Sequence, residues 1–259
     1  MKYLIKRIIP KNLRPAFLNT YYHLRAPFFA GNLVHCPCCQ GDFKKFASFN
    51  SYGTIRQNAQ CPKCGSLERH RLLWLYLKNS TNILEEDKRL LHIAPEAILQ
   101  AHFKQSSKLD YISADIDSPL ADIKMNIQDI PYENNYVDAI LCYHVLDHVD
   151  DDKEAMREMF RVLKPGGWAI IQSSIDINRE ITFDDPNARS PEQRLKVFGQ
   201  ADRARRYGLD FPQRLENSGF RVEKVQYAKE QVEGDIARYG LSENDTFYLC
   251  TKQEDNAMA

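Results

Sequence analysis

Residues 136–167 read YVDAILCYHVLDHVDDDKEAMREMFRVLKPGG, and WAIIQSS follows at 168–174. The apolar run at 137–144 predicts a buried strand, and the acidic stretch after it has the apolar spacing of an amphipathic helix. Two glycines then form a turn into a second apolar strand. A strand, a helix and a parallel strand make one crossover unit of an open α/β sheet. Such sheets bind ligands beyond the carboxyl ends of their strands, so we expect the functional site there.

Composition limits the class of protein. The chain has 259 residues, 43% of them apolar, which is enough for one α/β domain and a small appendage. Lys and Arg together number 35, as do Asp and Glu, so no overall basic field attracts nucleic acid, and nucleic acid is not expected as a partner. No stretch reaches the ~18 apolar residues of a membrane span. All seven cysteines can be explained without disulfides, so we expect a cytoplasmic protein.

The amino-terminal segment is basic and partly apolar. No acid precedes Asp42, whereas six basic residues alternate with apolar ones, namely Lys2, Lys6, Arg7, Lys11, Arg14 and Arg25. We interpret residues 1–30 as a basic amphipathic arm. It could make a peripheral contact with the inner face of a membrane, or it could pack as a basic helix on its own domain.

Two cysteine pairs follow the arm. They have C-x2-C spacing and consist of Cys36, Cys39, Cys61 and Cys64. Two thiolates three residues apart can reach one tetrahedral Zn²⁺ at about 2.3 Å, and four thiolates leave no open position for catalysis. We therefore predict a structural zinc ribbon over residues 31–66, with Cys38 as a bystander. A redox pair and an iron–sulfur site are the alternatives.

A helix over residues 67–84 is predicted to connect the ribbon to the main domain. Ser66 is placed to cap this helix, and Glu68 lies in its first turn, where a negative charge suits the helix dipole. Arg69, His70 and Arg71 could bind an anion there, but a solvated helix face is the interpretation we favour.

The first two strands of the main domain are RLLHIA at 89–94 and DYISAD at 110–115. Pro95 is well placed to open the helix between them, since proline is tolerated at a first helical position. Asp115 follows Ala94 by 21 residues, the interval at which such folds place a carboxylate on ribose hydroxyls. Asp117 is a second candidate for that role.

Several motifs together resemble one family. These are CPKCGSLERHRLLWLYL, LLHIAPE, HVLDHV, RVLKPGGWAIIQ and VFGQADRARRYGLDFPQRL, which between them span most of the chain. They resemble a zinc-ribbon-bearing bacterial group of class I S-adenosylmethionine-dependent methyltransferases. The resemblance implies a Rossmann-like, doubly wound sheet of seven strands, the last antiparallel, over residues 85–253, with a small N-terminal zinc ribbon.

The resemblance also implies the cofactors, S-adenosylmethionine and a structural zinc ion. The residues that would bind S-adenosylmethionine follow the first four strands of the sheet, and they are Ile93, Ala94, Pro95, Glu96, Asp115, Ile116, Asn126, Ile127, Cys142 and His144. Glu96 could bind the ammonium group directly or the carboxylate through water. Asn126 could offer an amide oxygen where relatives often place an acid near the adenine.

The chain departs from the family pattern at two places. Class I enzymes usually have a glycine-rich loop after the first strand so that backbone can approach the cofactor, and this chain has none between His92 and Glu96. Arg203 stands where the group has histidine, which puts a general base at that position in doubt.

The sulfonium methyl is already activated, so the enzyme must align a nucleophile and remove its proton. His144 and His148, after the fourth strand, are the candidate catalytic bases. They could equally cap a helix or bind backbone, and Asp184 and Asp185 are further candidates. Residues 175–209 are predicted to form a substrate lid, whose arginines and aromatic residues suit an anionic or hydroxylated acceptor.

The sequence thus predicts a methyltransferase acting on a small-molecule or glycan-like acceptor, with oxygen as the methyl target. Methylation of protein or RNA is the enzymatic alternative, because zinc ribbons often serve in recognition. A non-catalytic interaction protein with a cofactor-binding fold is the third hypothesis, and the glycine-free loop favours it.

Overall fold

The computed structural model describes residues 9–10, 13–51 and 54–254. The amino-terminal part consists of α1 (Arg14–Arg25), a 3-10 turn (Ala26–Phe29), β1 (Ala30–Cys36), β2 (Gly41–Phe43), β3 (Ala47–Ser51) and β4 (Thr54–Gln60). β1 pairs with β2 and β3 pairs with β4, each antiparallel. One cysteine pair begins at the end of β1 and the other directly follows β4, so the hairpins bring the two pairs together.

The remaining elements form the main domain. In chain order they are α2 (Glu68–Ser80), β5 (Lys88–Ile93), α3 (Ala97–Phe103), β6 (Leu109–Asp115), β7 (Ile123–Lys124), β8 (Val137–Tyr143), α4 (Asp152–Val162), β9 (Leu163–Gln172), β10 (Phe183–Asp184), α5 (Pro191–Phe198), β11 (Arg205–Arg206), α6 (Phe211–Glu216), β12 (Arg221–Val225), α7 (Tyr227–Gln231), α8 (Ile236–Tyr239) and β13 (Phe247–Thr251).

Seven strands form one sheet in the order β12-β13-β9-β8-β5-β6-β7. β5 to β9 pair in parallel, and β13 runs antiparallel to both of its neighbours, β12 and β9. The predicted seven-stranded Rossmann-like sheet with an antiparallel last strand is confirmed. The third strand, β7, has only two residues, because Asn126 turns the chain by accepting from the Gln128 backbone N–H at 3.0 Å.

The crossover unit forms as its sequence predicts. β8 is almost wholly buried, since helices cover both faces of the sheet. α4 buries an apolar face of Ala155, Met156, Met159 and Val162 and is capped by Asp151, whose carboxylate accepts from the Glu154 N–H at 3.0 Å. The predicted glycine turn into the second strand is absent, because β9 already begins at Leu163; within that strand a Cβ at Gly167 would lie 2.8 Å from the Asp138 carbonyl, so only glycine fits.

The helix after β5 begins later than its proline predicts. Glu96 is extended, with φ −80° and ψ 128°, and α3 begins at Ala97, so Pro95 lies outside the helix. The prediction that Pro95 opens the helix is wrong. The helix begins later because the Glu96 side chain turns back to accept a hydrogen bond from His92 instead of continuing a helical turn.

The core lies in two layers, one on each face of the sheet. α2 belongs to one layer and buries eight consecutive residues, His70 to Leu77, so it is a central helix. Val34, Phe43 and Phe46 of the hairpins pack in that same layer. The cysteine-bearing hairpins therefore share a core with the sheet. Among the residues that the structure describes, no helix has the length and apolar character needed to cross a bilayer.

Candidate active site and metal centre

The four cysteines of the two pairs meet at one point. Their sulfur atoms all lie within 4.8 Å of one another, and Cys36 to Cys64 and Cys39 to Cys61 are each 3.7 Å apart. A tetrahedral Zn²⁺ with bonds of about 2.3 Å separates its sulfur ligands by about 3.8 Å. A disulfide would need about 2.05 Å. The cluster therefore fits a four-thiolate zinc site.

The fifth cysteine of this region stays out of the cluster. Cys38 is buried, and its thiol faces the His70 carbonyl oxygen at 3.8 Å. Ser66 does not cap α2, contrary to the prediction from sequence. Its hydroxyl lies 3.3 Å from the Cys36 sulfur and 3.2 Å from the Cys64 sulfur, because the strongest partners within its reach are the clustered sulfur atoms.

Helix α1 packs on the second cysteine pair. The Arg25 guanidinium donates to the carbonyl oxygens of Cys61 and Pro62, both at 2.9 Å, and lies over the Tyr22 ring. Gly65 has φ +74°, and a Cβ there would lie 2.4 Å from the Tyr22 ring. This part of the predicted basic arm therefore packs on its own domain. Residues 1–8 and 11–12, with Lys2, Lys6, Arg7 and Lys11, lie outside the described residues.

A cavity of about 730 Å³ opens at the carboxyl edge of β5 and β6, and we call it the Glu96 cavity. Glu96 and Asp115 line it from the sheet, and Tyr22 and Gly65 close it from α1 and the cysteine hairpins. His70, in the first turn of α2, also lines it. The cavity thus lies between the sheet and the metal-binding hairpins.

The loop after β5 adopts a glycine-like conformation without glycine. Ala94 has φ +52°, and its N–H donates to the Ala114 carbonyl at 2.8 Å. A non-glycine residue in this region carries strain, which often marks a functional site. The left-handed turn lets the chain bend sharply over the sheet edge before Glu96. The loop therefore resembles a glycine-rich loop in its backbone conformation at Ala94 and differs from one in carrying side chains.

Glu96 is an ionised, partly buried carboxylate. Its Oε2 accepts from Nε2 of His92 at 2.8 Å, and its Oε1 lies 3.8 Å from Nε2 of His70. Burial by itself would raise the pKa of Glu96, but the hydrogen bond from His92 and the nearby His70 hold it at about 2. The site therefore presents a fixed negative charge, which suits a cationic group.

The other predicted cofactor residues lie along the same edge. Asp115 uses Oδ1 to accept from the backbone N–H groups of Asp117 and Ser118, each at 2.7 Å, and Asp115 itself lines the Glu96 cavity. Ile116, next to it, is 61% exposed. The side chains of Ile93, Pro95, Ile127 and Cys142 are buried, so these four residues present backbone to the edge. Asn126 begins the turn after β7.

A second cavity, of about 570 Å³, opens beyond β8 and β9, and we call it the His144 cavity. His144 directly follows β8 with φ +53°, and its Nδ1 lies 3.5 Å from the Ser174 hydroxyl. Burial and the neighbouring Arg69 lower the pKa of His144 to about 4, so the ring is neutral at pH 7. His148 lines the same cavity and donates from Nδ1 to the Asp202 carbonyl at 3.0 Å.

The His144 cavity contains two residues that the sequence did not single out, Gln172 and Asp245, and a third, Arg69, for which it favoured a solvated helix face. Arg69 lines it, and its Nε is buried with no hydrogen-bond partner among the described residues. The Oε1 atom of Gln172 is likewise buried and has no hydrogen-bond partner among the described residues. Asp245, from the loop before β13, also lines the cavity. Burial and the nearby Glu68 raise the pKa of Asp245 to about 6, although Arg56 and Arg69 oppose them. Asp245 lies in no quoted motif, and nothing local shows that it meets Arg69 and Gln172, because the three come from distant segments.

The predicted solvated face of α2 is also wrong. His70 and Arg71 are buried, and Arg71 is among the largest fully buried side chains. Its guanidinium donates to four backbone carbonyl oxygens, those of Ala59, Ser66, Tyr239 and Gly240, and lies over Phe46. Arg71 thus joins β4, α2 and α8, because α2 is central and its polar residues must find internal partners.

The segment 175–209 is anchored at its base. Arg205 is 4% exposed and binds Asp184 at 2.7 Å and the carbonyl oxygens of Leu146, Val149 and Asp150. Asp184 is therefore held in an ion pair with Arg205. Of the arginines in this segment, Arg203 lines the His144 cavity and pairs with Asp147 at 3.2 Å.

Comparisons with known proteins agree with this architecture. Residues 86–171 match a family described as methyltransferase domain. The chain carries a methyltransferase domain. This match and the strand order described above confirm the resemblance to class I S-adenosylmethionine-dependent methyltransferases that the sequence predicted.

Curated relatives match a shorter part. The ubiquinone/menaquinone biosynthesis C-methyltransferases UbiE of Vibrio cholerae and Serratia proteamaculans are each 41% identical over 49 residues, 19% of this chain. The match covers 19% and 20% of their own lengths. The match thus spans only about a fifth of the length of these relatives. Their substrates therefore cannot be assigned to this chain.

Among solved structures, the [4+2]-cyclase SpnF has a TM-score of 0.50 and 15% identity over 95% of this chain and 98% of its own. An S-adenosylmethionine-dependent methyltransferase from Mesorhizobium loti has a TM-score of 0.49 and 12% identity, covering 69% of this chain and 96% of its own. SpnF shows that the fold extends over nearly the whole chain. Because its name is that of a cyclase, the fold alone does not fix the reaction.

Proposed function

We propose that this protein transfers a methyl group from S-adenosylmethionine, bound in the Glu96 cavity, to a small or glycan-like acceptor bound in the His144 cavity. The observation that carries the proposal is the arrangement of the two cavities. Both cavities lie at the carboxyl edge of the sheet. They are neighbours, because His70 lines the Glu96 cavity and the adjacent residue, Arg69, lines the His144 cavity. A donor and an acceptor in such neighbouring cavities are held within reach of each other.

The residues of the Glu96 cavity fit the donor. When bound, S-adenosylmethionine supplies a methyl group already activated by its positive sulfur. The Glu96 carboxylate matches the ammonium group of its methionine part, and Asp115 retains an oxygen for ribose hydroxyls. Asn126 and Ile127 are proposed to border the adenine. The strained loop at Ala94 brings backbone to the donor, as glycines do in other class I domains.

The residues of the His144 cavity fit a polar acceptor. Arg56, Arg69, Arg203 and Gln172 line it, and its volume of about 570 Å³ is that of a small-molecule site. Such a lining suits a hydroxylated or anionic molecule, and a hydroxyl oxygen is the methyl target that we propose. The proton of that hydroxyl needs an acceptor, and His144, His148 and Asp245 are the candidates. His144 is neutral and Asp245 is ionised at pH 7, so both can take a proton.

The test of donor binding uses calorimetry with S-adenosylhomocysteine. Asp115→Asn keeps the oxygen that accepts from Asp117 and Ser118 but removes the negative charge, so the affinity should fall by roughly 10- to 100-fold. Asp110→Asn is the matched control, because Asp110 lies at the opposite end of β6 and pairs with Arg89 at 2.6 Å. Equal affinity of wild type and Asp115→Asn would contradict the assignment of Asp115.

The test of the acceptor uses tritiated S-adenosylmethionine and a fractionated cell extract. Label should enter low-mass or glycan material and resist both protease and ribonuclease. Label in protease-sensitive or ribonuclease-sensitive material would instead establish the alternative, methylation of protein or RNA. A chain that binds no donor would be a non-catalytic interaction protein.

We also propose that α1 docks on an anionic membrane surface. Leu13, Phe17 and Leu24 are spaced by four and seven residues, which places them on one side of a helix, and they are 54%, 46% and 70% exposed. Phe28, in the next turn, is 77% exposed. The sequence around them is basic, with no acid before Asp42, which is the charge that anionic lipid attracts.

Vesicle sedimentation tests this docking. The full chain should bind phosphatidylglycerol vesicles, bind phosphatidylcholine vesicles weakly, and lose binding in the Phe17→Ser/Leu24→Ser variant. Leu195→Ser, at a residue 55% exposed on α5, is the control. Equal binding to both lipids, or unchanged binding by the double variant, would contradict the proposal.

A further inference from the structure

His70 has a polar atom that the protein itself does not satisfy. The ring is 8% exposed, and its Nδ1 accepts from the Leu67 backbone N–H at 3.3 Å. This bond places the ring hydrogen on the other nitrogen, Nε2. That nitrogen is buried, and within the described ranges it makes no hydrogen bond. Buried donors of this kind are rare in folded proteins and point to a missing partner.

The unsatisfied atom belongs to the Glu96 cavity. His70 and Glu96 both line it, and the distance from His70 Nε2 to Glu96 Oε1 is 3.8 Å, too long for a hydrogen bond. The other oxygen of Glu96 is already taken by His92 at 2.8 Å, and the second nitrogen of His92 is held by the Tyr111 hydroxyl at 2.9 Å. Glu96 Oε1 and His70 Nε2 therefore lie side by side as an acceptor and a donor that make no hydrogen bond to each other.

His70 and Glu96 differ in charge at pH 7. Burial lowers the pKa of His70 to about 3, so the ring is neutral at pH 7 and offers an N–H without carrying charge. Glu96 is ionised. A carboxylate beside an N–H donor matches the two ends of an α-amino acid, whose ammonium seeks the carboxylate and whose carboxylate seeks the donor.

We propose that His70 Nε2–H binds the α-carboxylate of the donor's methionine part while Glu96 Oε1 binds its α-ammonium. This assignment rests on the proposed function, because it takes S-adenosylmethionine as the ligand of the Glu96 cavity. His70 is a binding residue of the donor, and it comes from outside the sheet that supplies the other donor residues.

The assignment links the donor site to the cysteine hairpins. His70 lies in the first turn of α2, six residues after Cys64, and Ser66 between them contacts two of the clustered sulfur atoms. Arg71 then fastens the same turn to β4 through the Ala59 carbonyl at 3.1 Å. The cysteine hairpins thus hold His70, a residue proposed to bind the methyl donor, in position. This role would explain why the hairpins share a core with the sheet.

The experiment compares two ligands by calorimetry on the full chain. S-Adenosylhomocysteine carries the amino-acid part, and 5′-methylthioadenosine lacks it. His70→Asn keeps a side-chain oxygen to accept from Leu67 and removes the donor at the Nε2 position. We expect it to weaken S-adenosylhomocysteine by roughly 10- to 100-fold and to leave 5′-methylthioadenosine unchanged. His70→Gln, whose amide N–H reaches the Nε2 position, should restore most of the affinity.

A third ligand separates the two proposed contacts. Decarboxylated S-adenosylmethionine keeps the ammonium and lacks the carboxylate, so His70→Asn should not weaken it, whereas Glu96→Gln should. An equal loss of all three ligands in His70→Asn would show a purely structural role and overturn the proposal, as would an unchanged affinity for S-adenosylhomocysteine. Wild type that binds none of the three would instead refute the proposed function.

Discussion

Nε2 of His92 lies 2.8 Å from Oε2 of Glu96, and this hydrogen bond joins the buried end of β5 to the loop that replaces a glycine-rich turn. His92 is 1% exposed, and its ring packs edge-on against Phe103. The bond therefore fixes the Glu96 carboxylate from within the core. In this domain a buried side chain shapes the loop that we propose to surround the donor, a role that glycine backbone has elsewhere.

Removing that bond should weaken the donor site. His92→Leu removes the N–H that holds Glu96, so the carboxylate should move and the affinity for S-adenosylhomocysteine should fall by roughly tenfold. His92→Gln places an amide N–H near the same point and should retain most of the affinity. Calorimetry on both variants, with circular dichroism to verify folding, measures this. A full-affinity His92→Leu protein would show that Glu96 needs no support.

The metal centre should be a structural one. Purified protein should contain about one zinc ion per chain, and Cys64→Ser should lower the zinc content and the melting temperature, because such sites contribute on the order of 10 kcal/mol to folding. Cys38→Ser is the control, since Cys38 lies outside the sulfur cluster, and its zinc content should be normal. Metal analysis by mass spectrometry decides, and untagged protein without zinc would remove this centre.

Arg205 should matter for stability more than for recognition. Arg205→Ala leaves three buried carbonyl oxygens and the Asp184 carboxylate without their donor, so the free energy of unfolding should fall by about 3–5 kcal/mol. Arg189→Ala, at an exposed arginine of the same segment, should change it by less than about 0.5 kcal/mol. Urea unfolding compares them. Similar small losses in both would mean that the segment is held by other contacts.

Stability should fall in acid partly because of His70. Its folded pKa of about 3 lies below the ordinary 6.5, so the unfolded chain binds a proton between these values and the folded chain does not. The contribution is complete above about pH 6.5 and is lost as the pH falls toward 3. Asn at this position cannot titrate. Between pH 6.5 and 5.5, wild type should therefore lose up to about 1.4 kcal/mol more than His70→Asn in urea unfolding. Identical losses would contradict a neutral, buried His70.

Local sequence was enough for the sheet and the sulfur cluster. The run at 137–144 and the amphipathic α4 determine a crossover unit, because apolar period and length leave few alternatives. The C-x2-C spacing of Cys36 with Cys39 and of Cys61 with Cys64 likewise predicts that each pair can bind one metal ion. Ala94 and Glu96 could be placed at the sheet edge, but the conformation of their loop could not, since nothing local shows that alanine adopts φ +52°.

Long-range packing determines what the sequence did not reveal. His70 and Arg71 look like a solvated helix face when α2 is taken alone, and they are buried because the hairpins and the sheet enclose that helix. Asp245 and Arg69 meet in one cavity although 176 positions separate them. No periodicity or motif spans such a distance, so these residues required the folded chain.

Calorimetric titration of the intact wild-type chain with S-adenosylhomocysteine decides whether the protein binds the donor. We expect saturable heat with about one site per chain and a rise in melting temperature, because ligand binding to the folded state stabilises it. No measurable heat and no thermal shift at millimolar ligand would contradict this expectation, and the Glu96 cavity would then not be a donor site.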